Sequence, residues 1–377
     1  MRLRPLSLAI VAVILAPPWG GRLAAQSSDA LYTRVSGLTG FEYRGYSFDP
    51  GISLKSVSQW NIPFIAVAPV GRHISVDLTT HVVSGRIATF AGTEEKLSGL
   101  SDTQLRLLYT LGRDRLVTSL TLNLPTGQRS VSTSQFEVAS AVGSNYLSFP
   151  VASFGTAFGL TAGAAYARTL GSWNLGLSGA LRYTGTYSPF SDQALSYNPG
   201  WEGRLRAGAD RVIGSGRLLV GLTFSDFSTD VYTGTGALVS GWYQPGSRFI
   251  GDLAYLRVVG GGTLTVTMWD YYRLAGHSNA GANQDTKENV FNWELRYGRR
   301  VAPRLQVEPL VAFRQWSPAD YRGGRLYSAG LGARYAVSDQ LSAHFTGRLD
   351  TGWIYAASRG FADLTGTGLT VWLRYQR

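Results

Sequence analysis

The chain has 377 residues, 35 Lys and Arg against 24 Asp and Glu for a formal charge of +11, 46 glycines, 12% aromatic and only 16% charged residues, and no cysteine. Soluble domains carry roughly 25% charged residues, so this chain is poorly suited to a fully water-covered surface; the lack of cysteine excludes a disulfide framework, thiolate metal sites and lipoprotein-type lipid attachment. The basic residues are arginines apart from Lys55, Lys96 and Lys287, and they are scattered, which argues against a nucleic-acid interface and suits phosphate or carboxylate partners.

The first 25 residues read as a secretory signal: Arg2 and Arg4, an apolar run from Leu6 to Ala16, then small residues ending at Ala24 and Ala25. That run is about 11 residues, short for a membrane helix. Cleavage after Ala25 leaves 26–377 as a single unit with 32 basic and 24 acidic residues, a charge of +8. No later run approaches the roughly 18 apolar residues of a transmembrane helix.

Tight turns recur at Pro69–Arg72, Gly112–Arg115, Leu170–Ser172, Ile213–Gly216, Gly260–Gly262, Ala302–Arg304 and Ser338–Gln340. Longer polar connections alternate with them near 48–53, 90–99, 125–152, 187–199, 230–247, 276–288, 317–325 and 355–362. The strands so predicted cover 30–47, 53–68, 73–89, 100–111, 115–125, 152–169, 173–187, 199–212, 217–230, 247–259, 263–275, 288–301, 304–317, 325–337, 340–354 and 362–376. Short turns at one end and long loops at the other are the signature of an all-β transmembrane antiparallel up-and-down barrel of about 16 strands, within a range of about 14 to 18. A soluble β-sandwich or solenoid is the alternative.

Period-two reading gives each strand a greasy and a wet face. Leu105, Leu107, Tyr109 and Leu111 share one face of the hairpin 101–127; Gln104, Arg106 and Thr110 share the other, along with Leu108. Leu341, Phe345, Leu349 and Trp353 oppose His344, Arg348 and Asp350. No second apolar layer or helical segment covers the greasy faces, so lipid must, and the wet faces point into a lumen. Trp173, Tyr183, Trp201, Phe291, Trp293 and Trp353, near strand ends, would form interfacial girdles.

Inward positions then include Arg106, Glu202, Arg204, Arg206, Asp252, Glu294, Arg296, Glu308, Arg314, Arg348, Asp350 and Arg374. They read either as a charge ladder that stabilises a wet wall or as a set of electrostatic barriers that gives selectivity. Two neighbouring inward faces are nearly bare: Gly155, Ala157, Gly159, Gly163, Ala165 and Ala167, then Gly176, Ser178 and Ala180. The long 125–150 connection carries Phe136, Tyr146, Leu147 and Phe149, and is expected to fold inward against this bare wall, with Phe136, Tyr146 and Phe149 narrowing the pore. The same glycines could instead serve sheet curvature.

The four histidines, His73, His81, His277 and His344, lack zinc-site spacing, and neither a Gly-x-Ser-x-Gly elbow nor a Ser-x-x-Lys pair occurs. No catalytic, metal or cofactor site is expected. His81 with Ser84 is the local pair closest to a barrel-wall hydrolase.

Gly99-Leu100-Ser101-Asp102 leads into Leu107-Leu108-Tyr109 and then Leu120-Thr121-Leu122-Asn123-Leu124-Pro125-Thr126-Gly127. This stretch resembles the outer-membrane transporter family grouped with the phenol-degradation meta-pathway. The motif covers about 30 residues, and the hairpin rhythm agrees over the rest of the mature chain. The resemblance implies passage of small hydrophobic or aromatic compounds across the outer membrane, and it carries no functional residues over. About four residues separate Gln26 from the first predicted strand, too few for an N-terminal hatch. The chain ends Tyr375-Gln376-Arg377, which leaves Tyr375 as the aromatic signal for the barrel-assembly machinery.

The reading is a passive channel in the outer membrane of a Gram-negative bacterium, with outer-membrane lipid, the barrel-assembly machinery and a small-molecule solute as partners and the oligomeric state open. The alternatives are a structural or adhesive barrel acting through its external loops and a barrel-wall hydrolase.

Overall fold

The computed structural model describes residues 35–111, 115–234, 240–279, 286–319, 323–356, 358 and 360–377. The predicted signal, the beginning of the first predicted strand and most of the Gly112–Arg115 turn lie outside these residues.

In chain order the elements are β1 (Ser36–Phe48), β2 (Leu54–Pro69), β3 (Ile74–Thr89), β4 (Glu94–Leu100), β5 (Thr103–Leu111), β6 (Leu116–Leu124), α1 (Thr133–Val142), β7 (Gly159–Leu170), β8 (Trp173–Thr184), β9 (Leu195–Asn198) and β10 (Glu202–Ile213). They continue with β11 (Gly216–Phe227), β12 (Asp230–Gly234), β13 (Gly241–Gln244), β14 (Arg248–Val259), β15 (Gly262–Arg273), β16 (His277–Ser278), β17 (Glu288–Ala302), β18 (Leu305–Pro318), β19 (Gly324–Ala336), β20 (Leu341–Ile354) and β21 (Ala362–Gln376).

Each wall strand pairs antiparallel with its neighbours, and β1 pairs with β21 from Ser36↔Gln376 to Phe48↔Leu364. This pairing closes the sheet and leaves no edge in the wall. β4 and β5 both pair with β3 and form one broken wall strand. The register passes from Val82↔Leu100 to Thr79↔Gln104, so one extra residue bulges at the break. Counting that pair once, the wall has 16 strands. No helix among the described residues is long and apolar enough to cross a membrane; the crossing is made by strands.

Facing follows the period-two pattern. Leu177, Leu205 and Leu349, in the middle of their strands, are 62%, 59% and 67% exposed, whereas the alternate residues Ser178, Thr346 and Asp350 are buried. Leucines that exposed in mid-strand need a lipid solvent. Outward aromatics pair toward the long-loop rim: Tyr183 with Trp201 at 5.2 Å, Phe224 with Phe249 at 5.0 Å and Phe313 with Tyr327 at 5.2 Å. At the tight-turn rim the Arg211 guanidinium lies 5.4 Å over the Trp173 ring. The molecule is an outer-membrane barrel.

Three features differ from the sequence expectation. The connection predicted at 90–99 is largely strand β4, because Glu94–Leu100 extends the wall alongside Val82–Ala88. The strand predicted from 152 begins at Gly159, since the residues before it belong to an internal segment. The connections after β8, β11 and β15 contribute a second four-stranded sheet in the order β16-β13-β12-β9, the one after β11 supplying both β12 and β13, and this sheet roofs one side of the long-loop rim.

Candidate functional site

The connection between β6 and β7, residues 125–158, enters the barrel, where it acts as a strap, and contains a helix the alternation did not predict. Ser132 caps α1 through its hydroxyl to the Gln135 amide at 3.2 Å, and the Gln135 side chain returns to the Ser132 amide at 3.2 Å, a capping box. From the helix inward, Val138, Val142, Tyr146, Leu147, Phe149, Val151 and Phe154 are buried against inward residues of the wall, among them Tyr46, Phe48, Val57, Val83, Ile87, Leu326 and Leu364.

The strap therefore packs across the lumen from the bare wall and not against it, as the sequence had suggested. The physical reason is partner surface: glycine and alanine on β7 and β8 offer little to large apolar side chains, while the inward ends of β1–β3, β19 and β21 are apolar. Each large side chain buried in this way gains about 1.5–3 kcal/mol over its exposed state.

Polar contacts fix the strap's path. Three successive carbonyls are held by wall residues: that of Tyr146 accepts from Arg314 Nη1 at 2.7 Å, that of Leu147 from the Tyr46 hydroxyl at 3.0 Å, and that of Ser148 from Arg44 Nη1. Ser148 has φ of 56°, in the left-handed region that a non-glycine residue seldom adopts. Gln59 brackets Val151, donating to its carbonyl at 2.7 Å and accepting from its amide at 2.9 Å. The Tyr146 ring stacks on Trp316 at 5.6 Å.

Both ends of the strap meet at the β4/β5 break. Asp102 accepts from the Gly127 amide at 3.1 Å, the Thr156 amide at 2.7 Å, the Thr156 hydroxyl at 2.8 Å and Asn123 Nδ2 at 2.8 Å. Thr126 donates to the Ser101 carbonyl at 3.0 Å and accepts from the Thr103 amide at 2.9 Å. A Cβ on Gly127 would collide with the Phe154 carbonyl and lie 2.8 Å from the Asp102 amide nitrogen, so no other residue fits there.

The charged residues singled out in the sequence fall into separate groups. Glu202, Arg204, Arg206 and Asp252 gather on β10 and β14. Arg204 pairs with Glu202 at 2.6 Å, and Arg206 makes a two-pronged contact to Asp252 at 2.6 and 2.9 Å with a third bond to Thr223 at 2.8 Å. The Arg206–Asp252 pair crosses β11 over Gly221, where a Cβ would sit 2.7 Å from Asp252 Oδ2.

Glu294, Arg296, Arg348 and Asp350 form a second network on β17 and β20: Arg296 contacts Glu294, and Arg348 reaches Asp350 at 2.7 Å and Glu294 at 3.6 Å. Arg314 is buried with the strap, bonds Asn292 at 3.2 Å and lies 5.7 Å over the Trp269 ring. Arg106 pairs with Asp77 through Nε at 2.7 Å, Glu308 accepts from Gln306 at 2.9 Å, and Arg374 sits in β21 beside the tight-turn rim. Of the three aromatic candidates, Tyr146 and Phe149 are buried in the strap's core, and Phe136 is exposed on α1, 5.3 Å from Phe190.

Several participants were not picked out in the sequence. Asp77 stands directly opposite Arg106 in register, and Asp210 pairs with Arg217 at 2.6 Å across β10 and β11. Cross-strand charge complementarity could have found them. The strap contacts of Arg44 and Gln59 carried no sequence signal, because their partners are backbone groups far along the chain, and Asp102 stood out only as part of a motif, without its partners at Gly127 and Thr156.

A cavity of about 510 Å³ opens at the long-loop rim, between the ends of β8, β10, β11, β14 and β15 and the small outer sheet. Arg182, Arg248, Arg273, Glu202 and Asp230 contribute charge, and Tyr187, Tyr197, Tyr243 and Phe227 contribute rings. Tyr197 donates its hydroxyl to Asp230, which also accepts from the Gly200 amide at 2.6 Å. Burial pushes the Tyr197 and Tyr187 phenols up from their usual value, and for Tyr197 the bond to Asp230 adds to the rise, so both remain neutral donors.

Among the described residues no group of three or more His, Asp or Glu is placed to hold a metal. His81 Nδ1 lies 3.2 Å from Asn61 Oδ1, while Ser84 falls on the alternate face of β3, so the two make no Ser–His pair.

No protein-family model matches this chain, and no curated protein matches it. Among solved structures it is similar to a Pseudomonas aeruginosa FadL homologue, at 9% identity over 95% of this chain and 94% of that one, with a TM-score of 0.48. An anion-selective porin from Comamonas acidovorans aligns at 12% identity over 91% of this chain and 98% of that one, with a TM-score of 0.44. The CymD monoaromatic hydrocarbon channel aligns at 9% identity over 91% and 88%, with a TM-score of 0.44.

Proposed function

We propose that the barrel is a channel for passive passage of small molecules across the outer membrane, hydrophobic and aromatic compounds among them. The observation that carries this reading is the asymmetry of the lumen. The strap fills the side of β1–β4 and β17–β21, while the opposite wall is bare on β7 and β8 and charged on β10, β11 and β14. Ala180 and Ser178 stand beside Arg204 and Arg206 in register, so small residues leave space next to a line of guanidinium groups. Such a path suits a solute with a flat apolar body and one polar end.

Within this reading Glu202, Arg204, Arg206 and Asp252 are the selectivity residues, and Tyr146 and Phe149 act by holding the strap in place. Glu294, Arg296, Arg348 and Asp350 brace the wall beside the strap. The aromatic part of the reading is supported by the Gly-x-x-Asp and Leu-Pro-Thr-Gly resemblance, whose residues anchor the strap. Liposome swelling tests it: vesicles holding the refolded protein should admit phenol-sized solutes and exclude disaccharides, and impermeability to both would oppose it.

The outer four-stranded sheet favours one second reading, an adhesive barrel acting through its external surface. A partner bound to that sheet together with an occluded pore would support it.

A further inference from the structure

We propose that the cavity beneath the outer sheet is a binding site for aromatic carboxylates; the inference rests on the channel reading and names a solute class for its entrance. Three arginines reach this cavity from wall strands, and their charges are unequally engaged. Arg182 shares Glu202 with Arg204, at 3.8 Å against 2.6 Å, and Arg273 lies 3.5 Å from Glu288. Arg248 differs. Among the described residues no carboxylate lies within 4.0 Å of it, Glu202 acting on it only at longer range, and its buried Nε makes no hydrogen bond, while its guanidinium carbon sits 4.5 Å over the Phe227 ring. The Phe227 ring covers the guanidinium on one side, and with Nε buried the two Nη groups are the donors left for a planar, two-oxygen acceptor.

The rest of the lining sets the other half of the ligand. Tyr187 and Tyr197 meet edge to face at 5.6 Å and 87°, and Tyr243 and Phe227 add further ring surface. Two acids of the lining could oppose an anion, and both are engaged: Asp230 accepts the Tyr197 hydroxyl and the Gly200 amide, and Glu202 is held between Arg204 and Arg182. Inorganic phosphate would use the arginines and waste the rings. A neutral arene would use the rings and leave Arg248 without an acceptor. An aromatic acid uses both, and about 510 Å³ admits one with bridging water.

The test is calorimetric titration of the full chain, folded in detergent, with benzoate, cyclohexanecarboxylate, phenol and phosphate, beside conductance of the same preparation in planar bilayers. Benzoate should bind more tightly than the other three. Arg248→Gln should weaken benzoate about tenfold, as loss of a charge-assisted bond does, while Arg248→Lys should retain part of the affinity and Tyr187→Leu should lessen the preference for benzoate over cyclohexanecarboxylate. Each variant is first shown by circular dichroism to be folded. Equal binding of phosphate or phenol, or a folded Arg248→Gln that binds benzoate unchanged, would overturn the site. Benzoate binding without conductance would overturn the channel reading and keep the site; conductance without benzoate binding would do the reverse.

Discussion

Asp102 and Thr156 stand 54 positions apart, yet one carboxylate oxygen of Asp102 accepts both the amide and the hydroxyl of Thr156, at 2.7 and 2.8 Å. With the Gly127 amide on its other oxygen, this side chain ties the start and the end of the internal strap to a single break in the wall. Asp102→Ala should leave barrel closure intact, since no ladder bond is lost. It should free the strap's ends, at a cost of about 1.5–3 kcal/mol for each charge-assisted bond not replaced by water. Hydrogen exchange across 125–158 should rise while exchange in β17–β21 holds; unchanged exchange at Gly127 and Thr156 would contradict the anchor.

Phe149 is buried against Tyr46, edge to face at 5.7 Å, in the apolar half of the lumen. Phe149→Ala should cost about 3–5 kcal/mol of strap docking through lost transfer and cavity terms. Limited proteolysis is expected to cut the variant within 133–150 and spare the wild-type chain.

Gly221 lets Arg206 reach Asp252 over the top of β11. Gly221→Ala should part the pair, and Asp252→Asn should remove its negative member outright. Reversal potentials under a salt gradient should move toward anion preference for Asp252→Asn. No shift would place this pair away from the path of ions.

The Asp192 carboxylate accepts the Thr133 amide at the first turn of α1 at 2.9 Å, and that bond holds its pKa below the usual carboxylate value. A carboxyl whose folded pKa is depressed contributes stability above its unfolded pKa and loses it as pH falls through the folded value. Protection of the Thr133 amide, measured against its intrinsic exchange rate at each pH, should therefore fall on acidification below the ordinary carboxylate range. Asp192→Asn should show that lower protection at neutral pH and lose the acid-dependent part.

Most of the wall was readable because lipid imposes a two-residue period. Predicted and observed strands agree to a residue or two for β14, β15 and β17 to β21, where leucines and aromatics alternate with glycine and charge. The alternation weakens at Val82-Val83 and around Ile87, where both faces are apolar, and those inward positions are the ones that receive the strap. The inward fold of the 125–150 connection was legible, and the assumption of a uniformly wet lumen hid only the side on which it docks. Helix α1 had a legible sign in Ser132 and Gln135, the capping-box spacing, but ten residues between two strands gave too little periodicity to outweigh the loop composition. The outer sheet was illegible because β9, β12, β13 and β16 are two to five residues long and pair only across successive hairpins. Of the candidate site, the charged residues were legible by position; their grouping was not, since Arg206 finds Asp252 two strands away and Arg314 finds a backbone carbonyl 168 residues distant.

The most direct measurement of the central claim is single-channel current through the refolded full chain in planar bilayers, with and without benzoate on the long-loop side. Discrete open conductance, reduced by benzoate and enlarged in the Phe149→Ala variant, is the predicted result. A wild-type barrel that passes no current at any voltage, and remains closed in Phe149→Ala, would contradict it.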